Sequence, residues 1–378
     1  MIYFRSDYSQ GAHPKVLEAL NATNPEHTDG YGIDPHCEHA AAIIREMTGL
    51  PDCGVHFMTG GTSCNVTVIA AALRPYESVI AARTAHIYVH ETGAVEGTGH
   101  RVTAVPGVNG KLTAELILQA YREGEDEHTA MPRMVYLSQP TETGTLYSRL
   151  EMQSIAALCR ELGLLLYVDG ARLGSALCSA ENDLSLQELA GLCDAFYIGG
   201  TKNGALFGEA LVIRNQELND HFRWMIKHQG GMLAKGRLLG VQFEALLAPY
   251  PGGTDAQSIE EGAEVLCPDR NGINGYRCLY FDIAQHENRI ADRLRKGLRE
   301  AGFGFYCETS TNQVFPLLPL ALVEELEKDF FFHRWAPEQD GLIPIRLVTG
   351  WGTTEAEVDA FLMQVQQYCD KRFCMKNG

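Results

Sequence analysis

Leu164-Leu165-Leu166-Tyr167-Val168 runs straight into Asp169-Gly170-Ala171-Arg172, and Ala195-Phe196-Tyr197-Ile198 runs into Gly199-Gly200-Thr201-Lys202-Asn203-Gly204. Each is a short apolar run closed by glycine, the pattern of a strand buried on both faces. Around them, helical stretches (14–20, 38–47, 64–73, 150–162) alternate with further apolar runs (55–58, 78–81, 134–137). That alternation predicts an α/β fold with a mainly parallel sheet flanked by helices. In such sheets ligands bind outside the carboxyl ends of the strands, which is where Asp169 and Lys202 stand.

The alternation stops at 248–275, a stretch rich in Gly, Pro and Asn that reads as a junction. It separates a large domain, 14–247, from a small α+β C-terminal domain, 276–378. In the latter a helix is expected from about 276 to 301, strands near 313–318 and 343–349, and a final helix from 354 to about 371. At 378 residues and 45% hydrophobic, the chain is long enough for both units. A formal net charge of −17 argues against nucleic acid and anionic lipid as partners and in favour of a small molecule. No run approaches the roughly 18 apolar residues of a membrane span, and the first residues carry no signal-peptide pattern, so a cytoplasmic address is expected. Eleven scattered cysteines without a CxxC pair read as free, mostly buried thiols.

Lys202 lies between apolar segments, where desolvation lowers an amine's pKa and makes it nucleophilic; alone it also reads as a solvated turn lysine. Asp169 closes a strand in an expensive place for a carboxylate, and its partner is either a protonated ring nitrogen or Arg172. A lysine that can form a Schiff base and an acid for a pyridine nitrogen are together what pyridoxal phosphate chemistry requires. Thr59-Gly60-Gly61-Thr62-Ser63-Cys64-Asn65 sits at a strand-to-helix turn that suits a phosphate, or serves capping alone. His86 and His90 can stack on a flat ring and move protons, or be structural. Arg346, alternating inside an apolar strand, meets either a ligand carboxylate or an internal one. His36 and His39 read as a metal pair or as surface residues, and no metal site is expected. Neither a P-loop, a GxSxG elbow, a GxGxxG fingerprint nor HExxH is present.

In series these stretches resemble the fold-type I, aspartate aminotransferase-like pyridoxal phosphate enzymes, and within them the L-threonine aldolases of the β-eliminating-lyase group. The matching segments are Phe4-Arg5-Ser6-Asp7, Asp29-Gly30-Tyr31-Gly32-Ile33-Asp34-Pro35, 62–65, Ala85-His86 with Glu91-Thr92-Gly93-Ala94, 169–172, Thr201-Lys202, Gly230-Gly231-Met232 and Arg346-Leu347-Val348-Thr349. The resemblance implies that Lys202 carries pyridoxal 5'-phosphate, that Asp169 pairs with its ring nitrogen and that His86 stacks on the ring. It implies phosphate binding by Gly61, Thr62 and Thr201, and a grip on the substrate carboxylate by Ser6, Arg172 and Arg346, so that the segment 1–13 contributes to the site. Tyr31 and Lys227 would reach a neighbouring subunit's site in a homodimer or homotetramer. The implied reaction is cleavage of L-threonine, L-allo-threonine or a related β-hydroxy-α-amino acid to glycine and an aldehyde. Where the aldolases carry an Asn-Thr-His-Asn stretch, this chain has Gln139-Pro140-Thr141-Glu142, so the hydroxyl-facing histidine is absent. Another pyridoxal phosphate amino-acid enzyme, a β-eliminating lyase or an aminotransferase, stays open at this point, as does a silent scaffold of the same fold.

Overall fold

A computed structural model describes residues 1–250 and 276–377, with side chains to 371. The expected junction therefore lies outside the described residues from 251 to 275. After the short β1 (Ile2–Tyr3), the strands β2 (Gly54–Met58), β3 (Glu77–Ala82), β4 (Arg101–Val105), β5 (Met131–Ser138), β6 (Leu165–Asp169), β7 (Ala195–Gly199) and β8 (Glu209–Ile213) follow. They form one sheet in the order β2-β8-β7-β6-β5-β3-β4. All neighbours are parallel except the two pairs that β8 makes, with β2 and with β7.

That single reversal has a local cause. Only a short loop joins β7 to β8, and a connection this short allows only antiparallel pairing. Gly204 and Gly208 take positive φ values of 92° and 111° within it, conformations that side chains rarely adopt. Lys202 is thus carried by a tight loop rather than by a helix. β4 and the helix Ala114–Glu123 are among the elements that the apolar runs did not foreshadow. Arg101–Val105 lies at the sheet edge with only Val102 fully buried, so its composition carries little strand signal.

The flanking helices start where their sequences dictate. Pro14 and Pro35 occupy first-turn positions, where a missing N–H costs nothing. Ser148 with Glu151, and Ser185 with Glu188, close reciprocal capping boxes, each cap stabilising its helix by about 1 kcal/mol. The helix Arg149–Leu162 stops at Gly163, in the left-handed conformation at φ 68°, and the Leu164 N–H returns to Cys159 O at 2.8 Å. The chain then enters β6 at once.

A second, antiparallel sheet has the order β12-β13-β10-β9, built from β9 (Phe305–Cys307), β10 (Gln313–Pro319), β12 (His333–Arg334) and β13 (Leu342–Val348). The helices Leu279–Glu300 and Glu355–Asn377 accompany it. It has its own core, with Leu294, Val314, Leu347 and Phe361 all at 0% exposure. β1 pairs in parallel with β11 (Phe330–Phe331), and Phe4 enters the same core while its carbonyl accepts from Val348 N. The first residues are thereby sewn onto this sheet, and the chain from Arg5 to Tyr8 crosses toward the large one. None of the described helices is long and apolar enough to cross a membrane.

His36 is held between Glu26 and Glu244 at 2.8 and 2.7 Å, linking the helix Pro35–Thr48 to Arg237–Leu247. His39 also bonds Glu244, so both imidazoles are taken by carboxylates. The Glu26 hydrogen bond, opposed by burial and joined by Glu244, lifts the pKa of His36 above 6.5. The folded state then binds an extra proton, so this contribution is complete below pH 6.5 and falls away as pH rises through the folded value. The melting deficit of His36→Ala should therefore be largest below pH 6.5 and shrink as pH rises above it. A deficit independent of pH in thermal melts would contradict it.

Candidate active site

The carboxyl ends of β5, β6 and β7 bring three tyrosines beneath one acid. Tyr136, Tyr167 and Tyr197 each stand two residues before the end of their strand, and residues two apart share a face. Asp169 Oδ2 accepts from Tyr136 Oη at 2.5 Å and from Asn65 Nδ2 at 3.3 Å; Oδ1 accepts from Tyr197 Oη at 2.5 Å and Ala171 N at 3.0 Å. Burial alone would raise the Asp169 carboxyl, but the Tyr136 and Tyr197 hydroxyls and the Ala171 N–H hold it below the usual range. An ionised acid, 4% exposed and ion-paired with no cation among the described residues, is a seat for a cationic ring nitrogen. The alternative of an Asp169–Arg172 pair is not what forms.

Arg172 instead takes Asp7, Nε to Oδ2 at 2.6 Å and Nη2 to Oδ1 at 3.1 Å. Asn312 adds a bond to Asp7 at 2.9 Å. Burial raises the Asp7 carboxyl, yet Arg172 and Lys202 more than offset this and keep it low. Nothing in the sequence pointed to Asp7 as the partner, because 165 residues separate the two.

The close packing of the strand ends explains the glycines there. A Cβ on Gly170 would lie 1.8 Å from Tyr197 O, and one on Gly199 would lie 2.4 Å from Ala171 O. The loop after β7 can therefore bring Lys202 in beside β6. Burial, then the Arg172 charge, lowers the Lys202 amine below its ordinary value, with Asp7, Asp169 and Glu209 offsetting part of the shift. Its Nζ stands 5.9 Å from the centre of the Tyr8 ring. A desolvated amine with a reduced proton affinity is the nucleophile that carbonyl chemistry uses.

The Thr201 hydroxyl turns away from solvent, donating to Glu209 Oε1 at 2.8 Å and accepting from Gly208 N at 2.9 Å. Glu209 also accepts from Gly200 N at 2.8 Å, and burial lifts its pKa to about 7. Gly60 precedes the helix Gly61–Ala72, whose first N–H groups lie at the end of β2. Thr62 is exposed there, and a Cβ on Gly61 would meet the Tyr197 hydroxyl at 2.8 Å. The small residues keep this helix start open to a phosphate within reach of Asp169's own tyrosine.

His86 Nδ1 is 2.8 Å from Glu91 Oε1, and its backbone N–H donates to Glu142 Oε1 at 2.8 Å. Glu142 also accepts from Ser138 at 2.7 Å, and burial raises its carboxyl despite that bond. The acid in the departing 139–142 stretch thus anchors the turn that bears His86. His90 lies 5.5 Å from His86, ring to ring, and burial, then His86, Arg346 and Lys202, lower its pKa.

Arg346 stands in β13 with its guanidinium 4.8 Å over the Trp335 ring. Its Nε is buried without a partner, and Nη2 reaches only Arg5 O at 3.5 Å. Burial and Arg172 push its pKa down to about 10. The alternative of an internal salt bridge does not form among the described residues, leaving a cation toward the face where Arg172, Asp7, Tyr8 and Lys202 meet. Ser6 joins this region through the same segment, its hydroxyl 2.8 Å from Ser9. Tyr31 does not join it: at φ 61° it is exposed, under Lys227 Nζ at 4.8 Å.

A profile of the beta-eliminating lyase family matches residues 3–319. A low specificity L-threonine aldolase of a Pseudomonas species is 34% identical over 308 residues, 80% of this chain and 88% of the relative. That of Pseudomonas aeruginosa is 36% identical over 249 residues, 65% and 71% of the two chains. A Leishmania major threonine aldolase structure superposes with a TM-score of 0.88 at 41% identity, covering 98% of this chain and all of that one. A Thermus thermophilus aspartate aminotransferase mutant, 16% identical with a TM-score of 0.66 over 96% of this chain and 90% of its own, shares the fold alone. The architecture is the fold-type I, aspartate aminotransferase-like one.

Proposed function

The chain belongs to the beta-eliminating lyase family, and we propose that it cleaves the Cα–Cβ bond of L-threonine and related β-hydroxy-α-amino acids to glycine and an aldehyde. The observation that carries the reading is the desolvated Lys202 and the ionised Asp169 at the carboxyl end of the large sheet, faced by Arg346 of β13 whose Nε is buried without a partner, in a chain whose relatives are threonine aldolases. The residues present fit pyridoxal phosphate. Lys202 would hold its aldehyde carbon, Asp169 its ring nitrogen, and the start of the helix Gly61–Ala72 its phosphate. When bound, the group supplies an electron sink for the pair left on Cα when Cα–Cβ breaks.

The protein's own residues then bind, orient and move protons. Arg346, with Ser6 and the Asp7-held Arg172, takes the substrate carboxylate. Fixing that end sets which bond at Cα stands across the ring plane. The Glu91 carboxylate accepts from His86 Nδ1, so in the neutral ring Nε2 is left as the acceptor. That nitrogen is the one we assign to the β-hydroxyl proton. Asp169 stays ionised throughout, because four donors serve it.

A cytoplasmic address and a homodimer or homotetramer belong to the same proposal. Cys37, Cys64, Cys159 and Cys193 are buried with free thiols, which a reducing compartment would preserve. Tyr31, Ile33 and Trp224 expose 46%, 64% and 70% of their surface, which suits burial by a second copy. Incubation with pyridoxal phosphate and L-threonine should release acetaldehyde, whereas 2-oxobutyrate in its place would overturn the aldolase reading.

A further inference from the structure

We infer that Asn65 is a positioning residue whose side-chain amide ties the acid holding His86 to the acid beneath the ring. The inference rests on the roles given above to His86 and Asp169. Asn65 is 0% exposed, on the second turn of the helix Gly61–Ala72. Its Nδ2 donates to Glu91 Oε1 at 2.7 Å and to Asp169 Oδ2 at 3.3 Å, while its Oδ1 accepts from the Tyr167 hydroxyl at 2.9 Å. Two carboxylates on one side and a hydroxyl donor on the other leave one orientation for the amide.

Among the described residues no other side chain hydrogen-bonds to both acids. Glu91 is otherwise bonded to His86, with its Oε2 buried and unpartnered, and Asp169 otherwise to Tyr136, Tyr197 and the Ala171 N–H. His86 and Asp169 come from different elements, the short helix His86–Val89 and the end of β6. Their separation sets the slot that would receive a flat ring, His86 to hold its face and Asp169 its nitrogen edge. Without the shared donor, two buried carboxylates would face each other and move apart, because like charges repel strongly in a low-dielectric interior. The imidazole would then be displaced relative to the acid, while the arginines that hold the substrate carboxylate, on other elements, would stay in place.

The test replaces Asn65 by leucine, close in size but without donors, and by serine, which keeps one. The cofactor-loaded proteins are compared by visible spectrum, by dissociation constant for pyridoxal phosphate, by melting, and by kcat and KM for L-threonine. Asn65→Leu should shift the visible band and weaken cofactor retention about tenfold or more, the worth of a hydrogen bond to a charged group. It should lower kcat by a similar factor, with KM within about threefold of the native value. Asn65→Ser should recover part of each loss. A native spectrum and native kcat in a folded variant would overturn the inference, and if the leucine variant does not fold, the serine variant decides by the same criteria. Failure of the native protein to form glycine would sink the aldolase reading instead, and the spectra and cofactor affinities would still decide the role of Asn65.

Discussion

Replacing Lys202 by alanine should abolish the visible band of the cofactor-loaded protein and lower the cleavage rate by more than about 10³-fold, the scale on which loss of a covalent catalyst is felt. The effect is large because nothing nearby can take over. The amine sits in the tight loop between β7 and β8, and burial and Arg172 lower its pKa, so that more of it is the neutral, nucleophilic form. His86, His90 and Arg172 lie around it, but neither imidazole nor guanidinium forms a stable linkage of this kind with an aldehyde. Lys202→Arg keeps the charge and length but not the neutral amine, so it should fail as completely. Absorbance spectra and glycine formation measure both variants. A retained band in Lys202→Ala would remove this lysine from the site.

Arg346→Ala should raise KM for the amino acid by about 10- to 150-fold, equivalent to about 1.5–3 kcal/mol for a charged hydrogen-bonded pair, with a smaller change in kcat. The two arginines differ in what they already hold. Arg346 has a buried, unpartnered Nε and no internal carboxylate among the described residues. Its removal therefore takes a contact from the substrate and leaves no protein acid exposed. Arg172 is locked to Asp7 by two hydrogen bonds. Arg172→Ala would strand a buried carboxylate, so its main effect should be on folding, about 3–5 kcal/mol. Steady-state kinetics and thermal melts separate the two behaviours. An unchanged KM in Arg346→Ala would return that arginine to a purely structural role.

The alternation of apolar runs and helical stretches carried the sheet and its ligand-binding edge, because strands buried on both faces leave an unbroken hydrophobic signature at 165–169 and 195–199. Asp169 and Lys202 were legible for the same reason: polar residues closing such runs stand out. The reversal at β8 was less so, since an apolar run has no direction and only the shortness of 200–208 hints at a hairpin. Edge strand β4, half-exposed, carried too weak a pattern to be seen.

The site's supporting residues were the hardest to read. Asp7 and Arg172 meet across 165 positions, and neither residue type announces its partner. Tyr136 and Tyr197 were not singled out, although their shared place two residues before a strand end was available as a signal. Glu142, in the segment that departs from the aldolase pattern, was visible as a difference but not as the anchor of the His86 backbone. The tetrad of His86, Glu91, Asn65 and Asp169 depends on three separate segments converging, the turn that bears His86 and Glu91, the helix Gly61–Ala72 and the end of β6, which spacing alone does not disclose.

The most direct measurement is product analysis by mass spectrometry after incubating the protein, loaded with pyridoxal phosphate, with L-threonine and with L-allo-threonine, using Lys202→Ala as the blank. Glycine and acetaldehyde in equal amounts, absent from the blank, are the expected result. 2-Oxobutyrate with ammonia, or no turnover of either amino acid, would contradict cleavage of the Cα–Cβ bond at this site.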